Sequence, residues 1–365
     1  MKVLFFLAEQ KYGITSLLAG QSLHLNKLDK VDFSFIVGGS EKEKGLLAKL
    51  TTNNIKYFTL ENIEFHKNFF NLCKALNKIV IEENPNIIHV QTNWQFIIAA
   101  YTKRRYKKQY KIFYTIHAFR HNDVRKAPFA KLIISNMIKF FGDKAVACSK
   151  FTYDNFSNIS RKLQLINLGV DDIFFKNNIS ARRPHGEIIK LAFVGEFRDG
   201  KNQIMLIKAI SKLVSNHGYK KVHLTLAGVG DNIVKCKQFV KNVGLEEYIS
   251  FPGFLSKSEV CRLFENTDVA LIPTNSETFG LCIAEPYCAG CCVVSRDVGV
   301  AGELINKSKN GFIFSDEYDL YDTLVKLVEN THLITECSIN AFDDRYRFHW
   351  KEISLKYQEM YLDIN

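Results

Sequence analysis

Two carboxylates, Glu277 and Glu285, stand with seven residues between them and a glycine, Gly280, in the interval. They lie in the stretch Asp268 to Glu303, which opens on an apolar run, Val269 to Ile272, short enough for a buried strand. A polar loop through Glu277 and the segment Thr278-Phe279-Gly280 follow, and a helix is predicted from about Leu281 to Ala289, stopping at Gly290. A second strand, Cys291 to Ser295, comes at once. Strand-helix-strand units of this kind build parallel sheets whose ligands sit at the strand carboxyl ends. The free amides and positive dipole end at the helix start suit a phosphate, and Gly280 lets backbone approach it closely. Along a helix rising ~1.5 Å per residue, the two carboxylates lie at most roughly 12 Å apart. Carboxylates accept hydrogen bonds from sugar and ribose hydroxyls, so the combination describes a nucleotide sugar. Taken singly, each glutamate reads first as a surface residue complementing a helix dipole.

Further residues could join such chemistry. Gly195 to Asn202 connects a predicted strand, Lys190 to Val194, with a helix, Gln203 to Val214, and presents Lys201 and Arg198 at a strand end. His117 follows the strand Ile112 to Ile116, also at a carboxyl end, where it serves either a ligand or the fold. His89 lies inside a strand and reads as a satisfied buried residue. Gly13 sits in the loop after the first strand, Met1 to Ala8, as a turn glycine or a point of close approach; the loop lacks G-x-G-x-x-G, so a nicotinamide cofactor is not indicated. Cys288, Cys291 and Cys292 cluster, but a zinc site needs a further ligand pair, and the nine cysteines read as free, buried packing residues.

The elements that position these residues alternate strand and helix along the chain, the mark of α/β architecture. At 365 residues, two domains are natural. The net charge of +11 implies an anionic partner. Lys103, Arg104, Arg105, Lys107 and Lys108 form its densest cluster, at a predicted helix end. They are either a solvated face complementing a helix C-terminus or a contact for anionic lipid headgroups. Pro128 to Phe141 is expected to be a core-packed helix. The first apolar run is too short for a signal peptide and no apolar segment approaches a membrane span. The expected location is the cytoplasm, with at most a peripheral contact on the inner face of the membrane.

The segment E-T-F-G-L-C-I-A-E, followed by a small-residue helix, Gly290 and an apolar strand, resembles the E-x7-E signature of glycosyltransferase family 4. The resemblance spans nearly the whole chain and is strongest from Leu191 to Phe314. It implies a GT-B fold: two Rossmann-like parallel-sheet domains facing across a cleft, with a C-terminal helix crossing back to the first. The boundaries it suggests are 1–167 for an acceptor domain, 168–345 for a donor domain and 346–365 for the returning helix. It implies that Glu277 touches the donor sugar, that Glu285 holds the ribose, and that amides around Phe279, Gly280 and Leu281 hold sugar or phosphates. It further implies that Lys201 grips the diphosphate, that Gly13 approaches it, that His117 contacts the sugar near the reacting carbon, and that Phe254 or Leu255 lines the base pocket. The chain departs from the family pattern at Pro286, where Ala is common, and at Cys292, where Pro is usual. It departs again at Glu196, which occupies the place of a phosphate-binding Arg that Arg198 is expected to replace. Pro286 calls for a helix that starts late, near Cys282, or bends.

The function so implied is a retaining, metal-independent hexosyltransferase. It moves a sugar from a nucleoside diphosphate to a saccharide or lipid-linked saccharide acceptor, in surface polysaccharide or lipopolysaccharide synthesis. No cofactor or metal is expected. A nucleotide-sugar epimerase of the same architecture is the alternative. A nucleic-acid partner has only the net charge behind it, and no reading module is present.

Overall fold

In the computed structural model, residues 1–7, 14–38, 44–60, 68–117, 127–176, 187–305 and 309–363 are described. The chain divides into two compact units, 1–171 together with 350–365, and 172–349.

The first unit is built on seven parallel strands: β1 (Lys2–Phe6), β2 (Asp32–Gly38), β3 (Tyr57–Leu60), β4 (Ile87–Val90), β5 (Lys111–Ile116), β6 (Lys144–Ala147) and β7 (Leu163–Leu165). Their order is β3-β2-β1-β4-β5-β6-β7. The helices are α1 (Ile14–Leu25), α2 (Lys44–Thr52), α3 (Phe69–Glu83), α4 (Asn93–Arg105), α5 (Ala127–Phe141) and α6 (Lys150–Asn155). Parallel strands need crossover connections, and helices supplying them cover both sheet faces, so central strands become apolar throughout. All four residues of β4 are buried accordingly.

The second unit carries six parallel strands: β8 (Ile189–Val194), β9 (Val222–Ala227), β10 (Ile249–Gly253), β11 (Val269–Ile272), β12 (Cys292–Arg296) and β13 (Gly311–Phe314). They run β10-β9-β8-β11-β12-β13. Its helices are α7 (Gln203–His217), α8 (Ile233–Asn242), α9 (Lys257–Glu265), α10 (Leu281–Cys288), α11 (Ala301–Leu304), α12 (Glu317–Glu329) and α13 (Thr331–Asp344). In both sheets the strand order reverses beside the first strand, at β1/β4 and at β8/β11, where an open α/β sheet leaves a crevice for ligands.

The last helix, α14 (Trp350–Leu362), belongs to the first unit. Trp350, Ile353, Tyr357 and Tyr361 are fully buried there. The Tyr361 hydroxyl meets His89 Nδ1 at 2.5 Å, while Thr115 Oγ1 lies 2.8 Å from Nε2. His89 is thus the satisfied core residue that its place in a strand suggested.

Two expectations are refined. The α10 helix begins at Leu281, as its start was read, and of the two ways to accommodate Pro286 the late start is not used; Pro286 is its sixth residue. The helix ends two residues later, so the missing amide costs one internal bond near its end. The α5 helix forms and packs into the core, but on one side only. Ile134, Ser135 and Ile138 are buried, whereas Phe129, Leu132, Ile133, Phe140 and Phe141 are exposed. Apolar residues occupy two sides of this helix, and periodicity alone cannot tell which side meets the core. Among the cysteines, all nine are free and eight are buried, which fits packing residues.

Candidate functional site

The site is assembled at the β8/β11 reversal of the second unit. The loop after β8 (195–202) and the loop after β11 (273–280) run side by side because the two strands are paired neighbours. They are also bonded to each other: the Asn275 amide and the Thr274 hydroxyl donate to the Gly200 carbonyl at 2.9 and 3.2 Å. Thr274 lies 3.2 Å from the Glu277 carboxylate as well.

This contact brings Lys201, from one loop, onto Glu277, from the other, as a part-buried ion pair. Burial opposes the Lys201 ammonium, but the charge of the Glu277 carboxylate and its hydrogen bond outweigh it and hold its pKa above the ordinary lysine value. Lys201 therefore carries its charge throughout the neutral range. Burial pushes the Cys282 thiol up to about 12, so that side chain is a neutral neighbour.

Gly280 caps α10 with φ of 91°, a left-handed conformation that favours glycine. The first amides of a helix have no intrahelical partner, so those of Leu281 and its successor face the loop side of the site. The Phe279 carbonyl accepts from the Val300 amide at 2.8 Å, which ties in the loop after β12. That loop turns at Gly299, φ 55°, where a Cβ would stand 2.2 Å from the Phe279 oxygen.

Glu285 is buried on α10 and pairs with Lys257 Nζ at 2.5 Å. Lys257 is the first residue of α9 and also lies over the Phe174 ring at 5.5 Å. Just before it, Phe254 is exposed and Leu255 half-buried in the segment leaving β10. Arg198 is exposed and pairs with Glu196 through Nε at 3.1 Å, so the acidic residue at this unusual position is neutralised locally.

His117 belongs to the first unit, directly after β5. Its Nε2 bonds the Gln91 side-chain oxygen, Gln91 itself following β4. Burial lowers the His117 pKa to about 4, so the ring is neutral at pH 7. Gly13 lies outside the described residues.

The structure thus brings together Lys201, Glu277, Phe279, Gly280, Leu281 and Glu285 in one region of the second unit. Sequence reasoning missed Lys257, Thr274, Gly299 and Gln91. A signal existed for Gln91, which ends a strand just as His117 does. Nothing in the spacing pairs Lys257 with a glutamate 28 positions away. Among the described residues, no group of three or more His, Cys, Asp or Glu is placed to hold a metal ion.

Two doubly wound parallel sheets, each with its order reversing beside the first strand, define an architectural class, the GT-B fold. Two family models match in tandem, Glycosyltransferase Family 4 over residues 33–173 and Glycosyl transferases group 1 over residues 175–343. The chain belongs to this glycosyltransferase family. N-acetyl-alpha-D-glucosaminyl L-malate synthase of Bacillus anthracis is 23% identical over 308 residues, 80% of this chain and 78% of that protein. The structure of Anabaena Alr3699/HepE in complex with UDP and glucose matches with a TM-score of 0.80 over 100% of both chains at 19% identity. The lipopolysaccharide outer core galactosyltransferase WaaB matches with a TM-score of 0.73, over 98% of this chain and 100% of that one, at 16% identity.

Proposed function

We propose that this glycosyltransferase is retaining and metal-independent, and that it moves a sugar from a nucleoside diphosphate to a saccharide or lipid-linked saccharide acceptor in surface polysaccharide synthesis. The observation that carries the proposal is the Lys201–Glu277 pair at the β8/β11 reversal. It sets a charged ammonium and a carboxylate side by side, beside the start of α10. The ammonium and the helix amides suit the diphosphate; the carboxylates suit hydroxyls of sugar and ribose. The neighbour captured with UDP and glucose supports a UDP-sugar as donor.

In the proposed reaction the bond from the sugar's C1 to the diphosphate oxygen breaks. The acceptor oxygen bonds C1 from the same face and its proton passes to the departing phosphate. Negative charge grows on the diphosphate, and Lys201 with the α10 amides stabilises it there, the task a metal performs elsewhere. Arg198 adds charge once released from Glu196. Glu277 and His117 orient the sugar, and Glu285 fixes the ribose while Phe254 and Leu255 border the base. Lys103, Arg104, Arg105, Lys107 and Lys108 provide a contact for anionic headgroups on the inner face of a membrane, where a lipid-linked acceptor would be met. No helix among the described residues is long and apolar enough to cross a membrane. The epimerase alternative draws on no observation of this chain.

Donor turnover is measured in excess EDTA for the wild type and for Glu285→Ala. Undiminished wild-type turnover and a donor KM raised about 10- to 100-fold in the variant are expected, the cost of losing hydrogen bonds to a charged group. Complete inhibition by EDTA, or a variant with unaltered KM, overturns the mechanism.

A further inference from the structure

The α5 helix carries a second apolar side that nothing among the described residues covers. Phe129, Ile133 and Phe140 recur at i, i+4 and i+11, which sets them on one side of the helix, and Leu132 flanks them. Phe129 and Phe140 are about two-thirds exposed, at 66% and 68%. The opposite side, with Ile134 and Ile138, is packed into the first unit's core. Residues 127–142 contain no acidic side chain.

The end of α5 adjoins the basic cluster. Asp143, just beyond it, accepts from the Ile112 amide at 2.7 Å and pairs with Lys103 Nζ at 3.6 Å. Gly142 abuts Phe96 of α4, the helix whose last turn holds Lys103, Arg104 and Arg105. Lys162 bonds the closing carbonyls of Lys139 and Gly142 at 2.9 and 2.6 Å, adding a further cation there. An exposed apolar stripe beside cations, its adjoining acid Asp143 already paired with Lys103, has the chemistry of an interface helix. At ~1.5 Å per residue its 15 residues reach roughly 22 Å, short of a bilayer's ~30 Å hydrocarbon, so it lies along the surface and does not span it.

We infer that α5 beds flat in an anionic lipid bilayer, with Phe129, Ile133 and Phe140 immersed and the 103–108 cations on the headgroups. The inference deepens the headgroup contact proposed above and is independent of the donor site. The test is flotation with vesicles of equimolar phosphatidylglycerol and phosphatidylcholine, and with phosphatidylcholine alone. The wild type should float with the anionic vesicles, less at high salt. The double variant Ile133→Glu with Phe140→Glu should bind roughly tenfold more weakly or worse, while its thermal shift with UDP stays as in the wild type. Separately, Phe140→Trp should show blue-shifted emission on adding anionic vesicles. A double variant that floats like the wild type, a Phe140→Trp protein with unshifted emission, or a wild type that ignores both vesicles overturns the inference. So does a wild-type dimer that the double variant turns into a monomer without altering flotation, since a second copy then covers the stripe. Loss of the UDP shift in a wild type that still floats counts against the donor reading alone.

Discussion

Lys201 and His117 both feel burial against their charged forms, with opposite results. Lys201 has an acidic partner and stays charged, whereas burial alone governs His117 and keeps its ring neutral. In the proposed reaction a neutral His117 would orient a hydroxyl through one hydrogen bond and supply no charge. Its NMR ring resonances should stay flat from pH 8 to 5; a transition near the ordinary value of ~6.5 would refute this. His89, lowered to about 3 by burial and then by the charge of His117, behaves likewise. Both folded values lie below the unfolded one, so the unfolded chain takes up more protons as pH drops below ~6.5. The stability these two residues contribute is full above that pH and falls as pH moves toward 4 and then 3. Urea midpoints between pH 7 and 4 should show the loss, and it should shrink in His89→Gln. A second residue-scale prediction concerns Lys257. Removing it by Lys257→Met strands the buried Glu285 charge, and donor KM should rise about tenfold with kcat nearly unchanged, following the cost of an unpaired charge. Steady-state kinetics decide it; an equal fall in kcat would assign Lys257 a different role. Glu285 itself could be found in the sequence because helix spacing tied it to Glu277. Its partner could not, because the 27 intervening residues include strand β11 and one and a half helices whose packing sets the distance.

At the scale of elements, the site depends on two glycine turns with unequal surroundings. A Cβ on Gly280 meets the tip of the Ile283 side chain at 2.7 Å, which can rotate away. A Cβ on Gly299 meets the backbone oxygen of Phe279, which is fixed by its own bond to Val300. Both residues have positive φ, so each alanine costs strain of order 1–3 kcal/mol. Gly299→Ala should be the more destabilising and should also weaken donor binding by displacing Phe279. Thermal unfolding and UDP titration of the two variants check the order; a milder Gly299→Ala would contradict it. Gly280 was legible as a close-approach residue from its position at a helix start. Gly299 was not legible, because the carbonyl it must avoid belongs to another loop. The α5 helix teaches the complementary lesson. Its length and period could be read, but both of its sides are apolar, and only the packed structure shows that Ile134 and Ile138 face inward while Phe129, Ile133 and Phe140 do not.

For the whole molecule, α14 joins the chain's last residues to its first sheet. Trp350 fills a space where Cβ atoms on Gly20 or Gly169 would come within 2.5 and 2.2 Å of its ring. Trp350→Ala should cost the first unit about 3–5 kcal/mol, as for other buried large-to-small changes. Calorimetry with and without UDP separates the units. The variant should lower one transition, while UDP raises the other by mass action, about 2.7 kcal/mol at a hundredfold excess over Kd. A single transition shifted by both would show that the units unfold together. The sequence by itself determined the alternation of strands and helices, the two-sheet α/β class and the family, because these are written in local periodicity and in one contiguous motif. The tertiary structure decided which residues share a site and which apolar side stays outside. The Lys201–Glu277 pair exists because β8 and β11, distant in sequence, lie side by side in the sheet, and the Lys257–Glu285 pair because the fold brings the start of α9 to α10; no local pattern encodes either adjacency.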